Sequence, residues 1–181
     1  MAQTPPGGGL NARAPSTQVE IRAATRGDAA DLAELLNAII AQGGTTALED
    51  SFTPERLAEA YLVGPSVLCC FVAIDGATGR LEGFQTLGRH PELPDDVGDI
   101  GTFARVDGKQ RGVGSALFAA TFERARRLGL AGINATIRAD NVGGLAFYGK
   151  MGFEDRSVTL AVPLKDGRPV DRVNKRLHLT P

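Results

Sequence analysis

Histidine and cysteine are scarce in this 181-residue chain, with two of each. His90 and His178 with Cys69 and Cys70 cannot supply a His/Cys zinc site of the usual ligand spacing, so no metal is expected. The two cysteines are adjacent, too close to bridge in an extended strand. Charge of neither sign dominates: 20 Lys+Arg face 21 Asp+Glu, a formal net charge of −1. That balance gives no electrostatic footprint for nucleic acid or an anionic membrane, and neither is expected as a partner. No window approaches the ~20 consecutive apolar residues of a membrane span. The opening MAQTPPGGGLNARAPSTQ lacks the apolar core of a secretory signal, so the expected location is cytoplasmic. Apolar residues, by contrast, make up 43% of the chain and charged residues 23%, a composition that supports one well-packed domain.

Glycine is in surplus: 23 of 181 residues, about 13% against a usual ~7%. Several cluster at Gly108, Gly112 and Gly114 and at Gly143-Gly144. A glycine inside an ordered segment costs roughly 0.5–1 kcal/mol relative to alanine, so such clusters suggest a backbone that something else approaches closely.

Residues 1–17, rich in Pro and Gly, read as a disordered arm ahead of a single domain over 18–181. Val19–Arg22 alternates as a short strand. Asp28 offers an N-cap for a helix with Leu32, Leu35, Leu36, Ile39 and Ile40 on one face. Thr53-Pro54 opens a second helix, with Leu57 and Tyr61 on one side. Val67–Ile74 is a continuous apolar run, the pattern of a strand buried on both faces, and Leu81–Gly88 returns after the turn Asp75–Gly79. Strands follow at Gly98–Val106 and Ile133–Ile137, and helices at Val113–Leu128 and Asn141–Met151. A closing hairpin pairs Ser157–Leu164 with Val173–Leu179. The order is β-α-α-β-β-β-α-β-α-β-β.

The segment Val106-Asp107-Gly108-Lys109-Gln110-Arg111-Gly112-Val113-Gly114-Ser115 carries the most chemistry: a strand ends, a glycine- and cation-rich turn follows, and a helix begins. A helix N-terminus holds about four unpaired amides and a partial positive charge, so this turn suits an anion. It is neither a Walker A loop, for want of Gly-Lys-Ser/Thr, nor a dinucleotide fingerprint, since Leu117 occupies the third glycine position. A glycine-rich turn opening an ordinary helix accounts for the local pattern equally well.

Lys109-x-x-Gly112-x-Gly114 resembles the pyrophosphate loop of the GCN5-related N-acetyltransferases, with Lys at a position where that family has Gln or Arg. Downstream, Asn141 through Tyr148 to Gly152-Phe153 resembles a second segment of the same family, with Gly144 at its small-residue position. The resemblance spans about residues 19–180. It implies an α/β (α+β) fold: one mixed, mostly antiparallel sheet of six to seven strands with four helices and a splayed parallel pair at the cofactor cleft. It implies acetyl-CoA as co-substrate, held by the amides of Lys109, Gln110, Arg111, Gly112, Val113, Gly114 and Ser115, by the strand Phe103, Ala104, Arg105 and Val106, and by Asn141. Asn141 serves equally well as an N-cap of the next helix.

Within that resemblance Tyr148 takes the general-acid position, and Asp99, on the strand before the loop, takes that of the base. Core aromatic and solvated strand residue are their plainer alternatives. Residues 37–55 look like the phosphinothricin/amino-acid N-acetyltransferase branch, which implies Thr45, Thr46 and Glu49 as acceptor-pocket residues. The implied activity is transfer of acetyl to a primary amine of a small, amino-acid-like molecule by direct attack in a ternary complex. A non-catalytic CoA-binding regulatory domain, or acetylation of a protein amine, stays open, as does a homodimer. His90, before Pro91, reads as a surface histidine in a loop that could flank the acceptor cleft, and the run Arg124/Arg126/Arg127 as a solvated helix face.

Overall fold

The computed structural model describes residues 19–105 and 112–179. A single seven-stranded sheet has the order β1-β2-β3-β4-β5-β7-β6. Its strands are β1 (Val19–Ala23), β2 (Val67–Asp75), β3 (Leu81–Gly88), β4 (Val97–Ala104), β5 (Gly132–Arg138), β6 (Glu154–Pro163) and β7 (Pro169–His178). The α-helices are α1 (Ala29–Gln42), α2 (Pro54–Ala58), α3 (Val113–Arg127) and α4 (Val142–Lys150). Only β4 and β5 run parallel; every other neighbouring pair is antiparallel. The element order and the parallel pair match the expectation from sequence.

Each face of the sheet has its own core. Against α1 and α2 pack Leu32, Leu36, Leu57, Val72, Phe84 and Phe103, all nearly or wholly buried. The Phe84 and Phe103 rings stack at 4.7 Å, with Tyr61 6.2 Å from Phe103. Against α3 and α4 pack Leu87, Ile100, Phe118, Ile133, Ala135 and Tyr148. The period-two alternation of strand side chains makes this division possible. Cys70 enters the first core and Cys69 lies against the second; burial pushes their thiols up to about 12 and about 11.

Three local expectations change. Asp28 does not cap α1 through its side chain: its carboxylate accepts from the Thr25 amide at 2.7 Å and from Arg22 at 2.7 and 2.9 Å, so the helical entry begins at Thr25 with a short turn. The second helix starts at its expected cap, Thr53, whose Oγ1 accepts from the Arg56 amide at 3.2 Å, but α2 ends at Ala58 and gives way to a π-turn over Glu59–Val63. The closing hairpin is longer than expected, because the bulges in β6 keep it paired from Glu154.

Candidate active site

β4 and β5 stay paired over only three positions, Val97↔Gly132, Gly98↔Ile133 and Asp99↔Asn134. Beyond Asp99, β4 continues beside β3 and β5 beside β7, so the two strands part. The Arg105 amide donates to Glu82 O at 2.9 Å, which fixes the alternation along β4. Phe103, Gly101 and Asp99 therefore turn their backbone groups to β3, while those of Ala104 and Thr102 face the gap that β5 has left. A cavity of 820 Å³ fills that gap. One wall is the open edge of β4, the other comprises Thr136–Arg138 of β5 and the N-terminal part of α4.

Two helix starts converge on the cavity. Gly112, at φ +83°, occupies the left-handed region at the N-cap of α3, and no side chain among the described residues caps this helix. The first intrahelical bond near it runs from the Ala116 amide to Gly112 O, so the amides of Val113, Gly114 and Ser115 have no partner within the helix. Gly114 must be small because a Cβ there would meet Phe147 of α4 at 2.9 Å. Asn141 is both what the sequence suggested and more. Its Oδ1 caps α4 by accepting from the Gly144 amide at 2.8 Å, and its Nδ2 donates to Thr45 O at 2.8 Å.

That second bond joins α4 to the loop between α1 and α2. Asn37 holds the far end of the same loop through two bonds to the Phe52 backbone, at 2.8 and 2.9 Å. Arg138, buried and paired with Asp140, reaches Thr46 O at 3.4 Å. The loop is thus pinned so that Thr45 and Thr46 line the cavity. Glu49, expected with them, is placed elsewhere: its carboxylate accepts from the Lys165 amide at 3.0 and 3.1 Å and ties the loop to the β6–β7 turn. Arg105 also points away from the cleft, its Nε donating to Leu81 O at 2.7 Å. Phe103 and Ala104 line the cavity. Val106, Lys109, Gln110 and Arg111 lie outside the described residues.

Tyr148 sits in the α3/α4 core with its ring buried, yet its hydroxyl reaches Thr102 Oγ1 at 2.8 Å on the open edge of β4. Gln85, itself fully buried, donates from Nε2 to the same Thr102 oxygen at 2.8 Å. Gln85 occupies one lone pair of Thr102, and the Thr102–Tyr148 bond can run either way: Thr102 donates its proton to the phenol oxygen, or accepts the phenol proton on its second lone pair. Burial drives the Tyr148 phenol above its ordinary range, with Asp99 adding to the rise and the Thr102 bond opposing it. Asp99 lines the same cavity and accepts from Asn134 Nδ2 at 2.9 Å. Burial raises its carboxyl from the ordinary value; the Asn134 bond, His90 and Arg176 pull the other way.

Sequence reasoning missed Thr102, Gln85 and Asn134. Thr102 was within reach, since alternation from Asp99 puts it on the face of Ile100, where Tyr148 packs. His90 is exposed and borders the cavity, so both readings of its loop, surface histidine and flank of the cleft, describe where it sits.

The Acetyltransferase (GNAT) family matches over residues 34–153, well over half of the chain, and the chain belongs to that family. Among solved structures, a GNAT superfamily phosphinothricin acetyltransferase from Sinorhizobium meliloti in complex with acetyl-CoA is similar at a TM-score of 0.75 and 20% identity, over 89% of this chain and 88% of that one. A ribosomal-protein-alanine N-acetyltransferase from Brucella melitensis also gives 0.75, at 21% identity over 88% and 99%. An N-acetyltransferase from Staphylococcus aureus Mu50 gives 0.77, at 18% identity over 90% and 99%. No curated protein matches. At such identities the likeness defines the fold, and neighbours that act on such different acceptors score alike.

Proposed function

We propose that this acetyltransferase moves the acetyl group of acetyl-CoA to the primary amine of a small, amino-acid-like molecule by direct attack in a ternary complex. The observation that carries the reading is the parting of β4 and β5 after Asp99, with the Tyr148 hydroxyl at the open edge. The chain fits the cofactor in two respects: amides at the start of α3 without a partner among the described residues, beside a left-handed Gly112, suit a diphosphate, and the backbone groups of Thr102 and Ala104 that face away from β3 suit an extended amide-bearing arm. When bound, acetyl-CoA supplies an activated acyl thioester.

The chain's own residues handle the protons. A lysine-type amine, pKa about 10.4, costs roughly 4.6 kcal/mol to deprotonate at pH 7, whereas an α-amine near 8 costs about 1.4. Asp99 is a poor base at an ordinary carboxyl pKa, and burial moves it in the useful direction. A thiolate of pKa near 8.5 lies about 2 kcal/mol above its thiol at pH 7, so a donor at the sulfur helps. Tyr148, like any phenol of pKa about 10, is protonated at neutral pH, and burial moves it further in that direction. By the same token full transfer of its proton to a thiolate is uphill, so its contribution is a hydrogen bond as charge develops, made in the arrangement in which Thr102 donates to the phenol oxygen and leaves the phenol O–H for the sulfur.

The test is release of CoA thiol from acetyl-CoA with a panel of free amino acids, their esters and lysine-bearing peptides. Turnover with small α-amines above that with peptides is the expected result. Calorimetric binding of acetyl-CoA with no thiol release from any amine would leave a CoA-binding regulatory module instead.

A further inference from the structure

On the sheet face away from α3 and α4, a smaller cavity of 180 Å³ adjoins the cleft, and the two share His90, Asp99 and Thr136 as walls. The strand register aligns a row across it: Asp99 on β4 faces Asn134 on β5, which faces Arg176 on β7. Asn134 donates to Asp99 Oδ1 at 2.9 Å and approaches Arg176 Nη2 through its own Oδ1 at 3.5 Å. Asn134 therefore stands as a spacer between a carboxylate and a guanidinium two strands apart, roughly 10 Å at the backbone, and keeps them from neutralising each other.

Arg176 is 9% exposed, yet its Nε has no hydrogen-bond partner and it forms no ion pair among the described residues. Arg156, exposed at the bulge of β6, lines the same cavity and adds a second positive charge. Burial, and then Arg156, pull the Arg176 pKa below its ordinary value, and the more distant carboxylates of Asp96 and Asp99 offset this only in part. A desolvated guanidinium beside another cation is unfavourable unless an anion joins it. The planar fork of arginine suits a carboxylate in particular.

Resting on the acetyl-transfer reading above, we infer that Arg176, with Arg156, is the carboxylate subsite of the acceptor, and that the substrate class is a free amino acid held as a zwitterion, its amine at Asp99 and its carboxylate at Arg176. A peptide or carboxamide carries no anion there and would leave Arg176 buried without a counter-ion, so the same residue that accepts a free acid rejects its neutral analogues.

The experiment titrates the CoA-saturated protein calorimetrically with the common L-amino acids and their α-carboxamides, and follows thiol release from acetyl-CoA with the same panel. In the wild-type protein at least one free acid should bind and turn over about a hundredfold better than its carboxamide. Arg176→Gln should collapse that preference to within about threefold, through KM more than kcat, and Arg176→Lys should restore part of it. Arg156→Gln, at an exposed site that does not threaten folding, should weaken the preference by a smaller factor in the same direction.

Equal handling of acids and carboxamides by the wild-type protein, or a preference unmoved in Arg156→Gln and in folded Arg176 variants, overturns the subsite while acetyl transfer stands. Free acids that bind the wild type and not Arg176→Gln, with no thiol released by any amine, uphold the subsite and overturn acetyl transfer. No binding and no turnover across the panel overturns both.

Discussion

The two sides of the β4–β5 cleft are made of different materials. On the α3/α4 side, the groups presented are backbone amides at the start of α3, the bare backbone of Gly112 and Gly114, and one phenol rising from an apolar core. On the other side, the groups are side chains: Asp99, Asn134 and Arg176 in a row, with the α1–α2 loop pinned by Asn37, Arg138 and Asn141. A backbone site needs little from side-chain identity except smallness, and it suits a ligand part that never varies. A side-chain site can be retuned residue by residue, and it suits a part that does. In the function proposed above, the cofactor takes the first side and the acceptor the second.

The sharpest break is at Gly112. Its φ of +83° is one that a β-branched residue occupies only under strain, about 1–2 kcal/mol for an ordinary L-residue and more for valine. Gly112→Val should abolish acetyl-CoA binding by calorimetry, while circular dichroism shows the domain still folded. A Kd retained in the micromolar range would remove the start of α3 from the cofactor site.

Tyr148→Phe comes next. It should lower kcat at least about tenfold with acetyl-CoA affinity intact, because only the hydroxyl is lost. Thr102→Val should cost somewhat less and should not add to the Tyr148→Phe loss in the double variant, since both act on one hydrogen bond. Thr102→Ser should recover the activity. Additive losses would mean that Thr102 does not aim the phenol.

Asp99→Asn probes the other side and carries a pH signature. In the wild type, activity should rise with pH through a carboxyl pKa lifted above the ordinary value, and the variant should lose that limb along with most of its turnover. Stability should move the opposite way. A carboxyl whose folded-state pKa is raised penalises its ionised form, so above that pKa the wild type is the less stable protein. The variant should have the higher Tm at pH 7, and the gain should vanish as pH falls below the Asp99 pKa. The carboxamide introduced by the substitution can still accept from Asn134, so packing is preserved.

How much of this was legible in the sequence follows the same division. The element order, Gly112, Gly114, Asn141 and Tyr148 lie within short stretches whose spacing reports local geometry, whereas the parallel pair came only with the family resemblance that those stretches carry. The acceptor side was not legible in that way. Arg176 lines up with Asp99 through strand register, far along the chain and across an intervening strand, and no local pattern records it. Glu49 failed to join Thr45 and Thr46 because a loop has no period to say which side chains face inward, and the Lys165 amide captured its carboxylate. The double use of Asn141 was hidden for a related reason: its cap is local, but its bond to Thr45 spans the molecule.

Gly144→Ala should give the smallest effect and the finest cut between the two sides. A Cβ at Gly144 would lie 2.6 Å from Asn141 Nδ2 and 2.9 Å from its Cγ, so the amide that reaches Thr45 has to move. Alanine in a helix interior is favoured over glycine by up to about 1 kcal/mol, which roughly offsets a cap and tether weakened by a similar amount. Tm should therefore change by no more than about 2 °C, while the α1–α2 loop loosens. Amide exchange should quicken at Thr45–Leu48, the acceptor KM should rise about two- to threefold, and the acetyl-CoA Kd should hold. A change in cofactor affinity of the same size as the change in acceptor KM would mean that Asn141 couples the two sides instead of serving the acceptor loop alone.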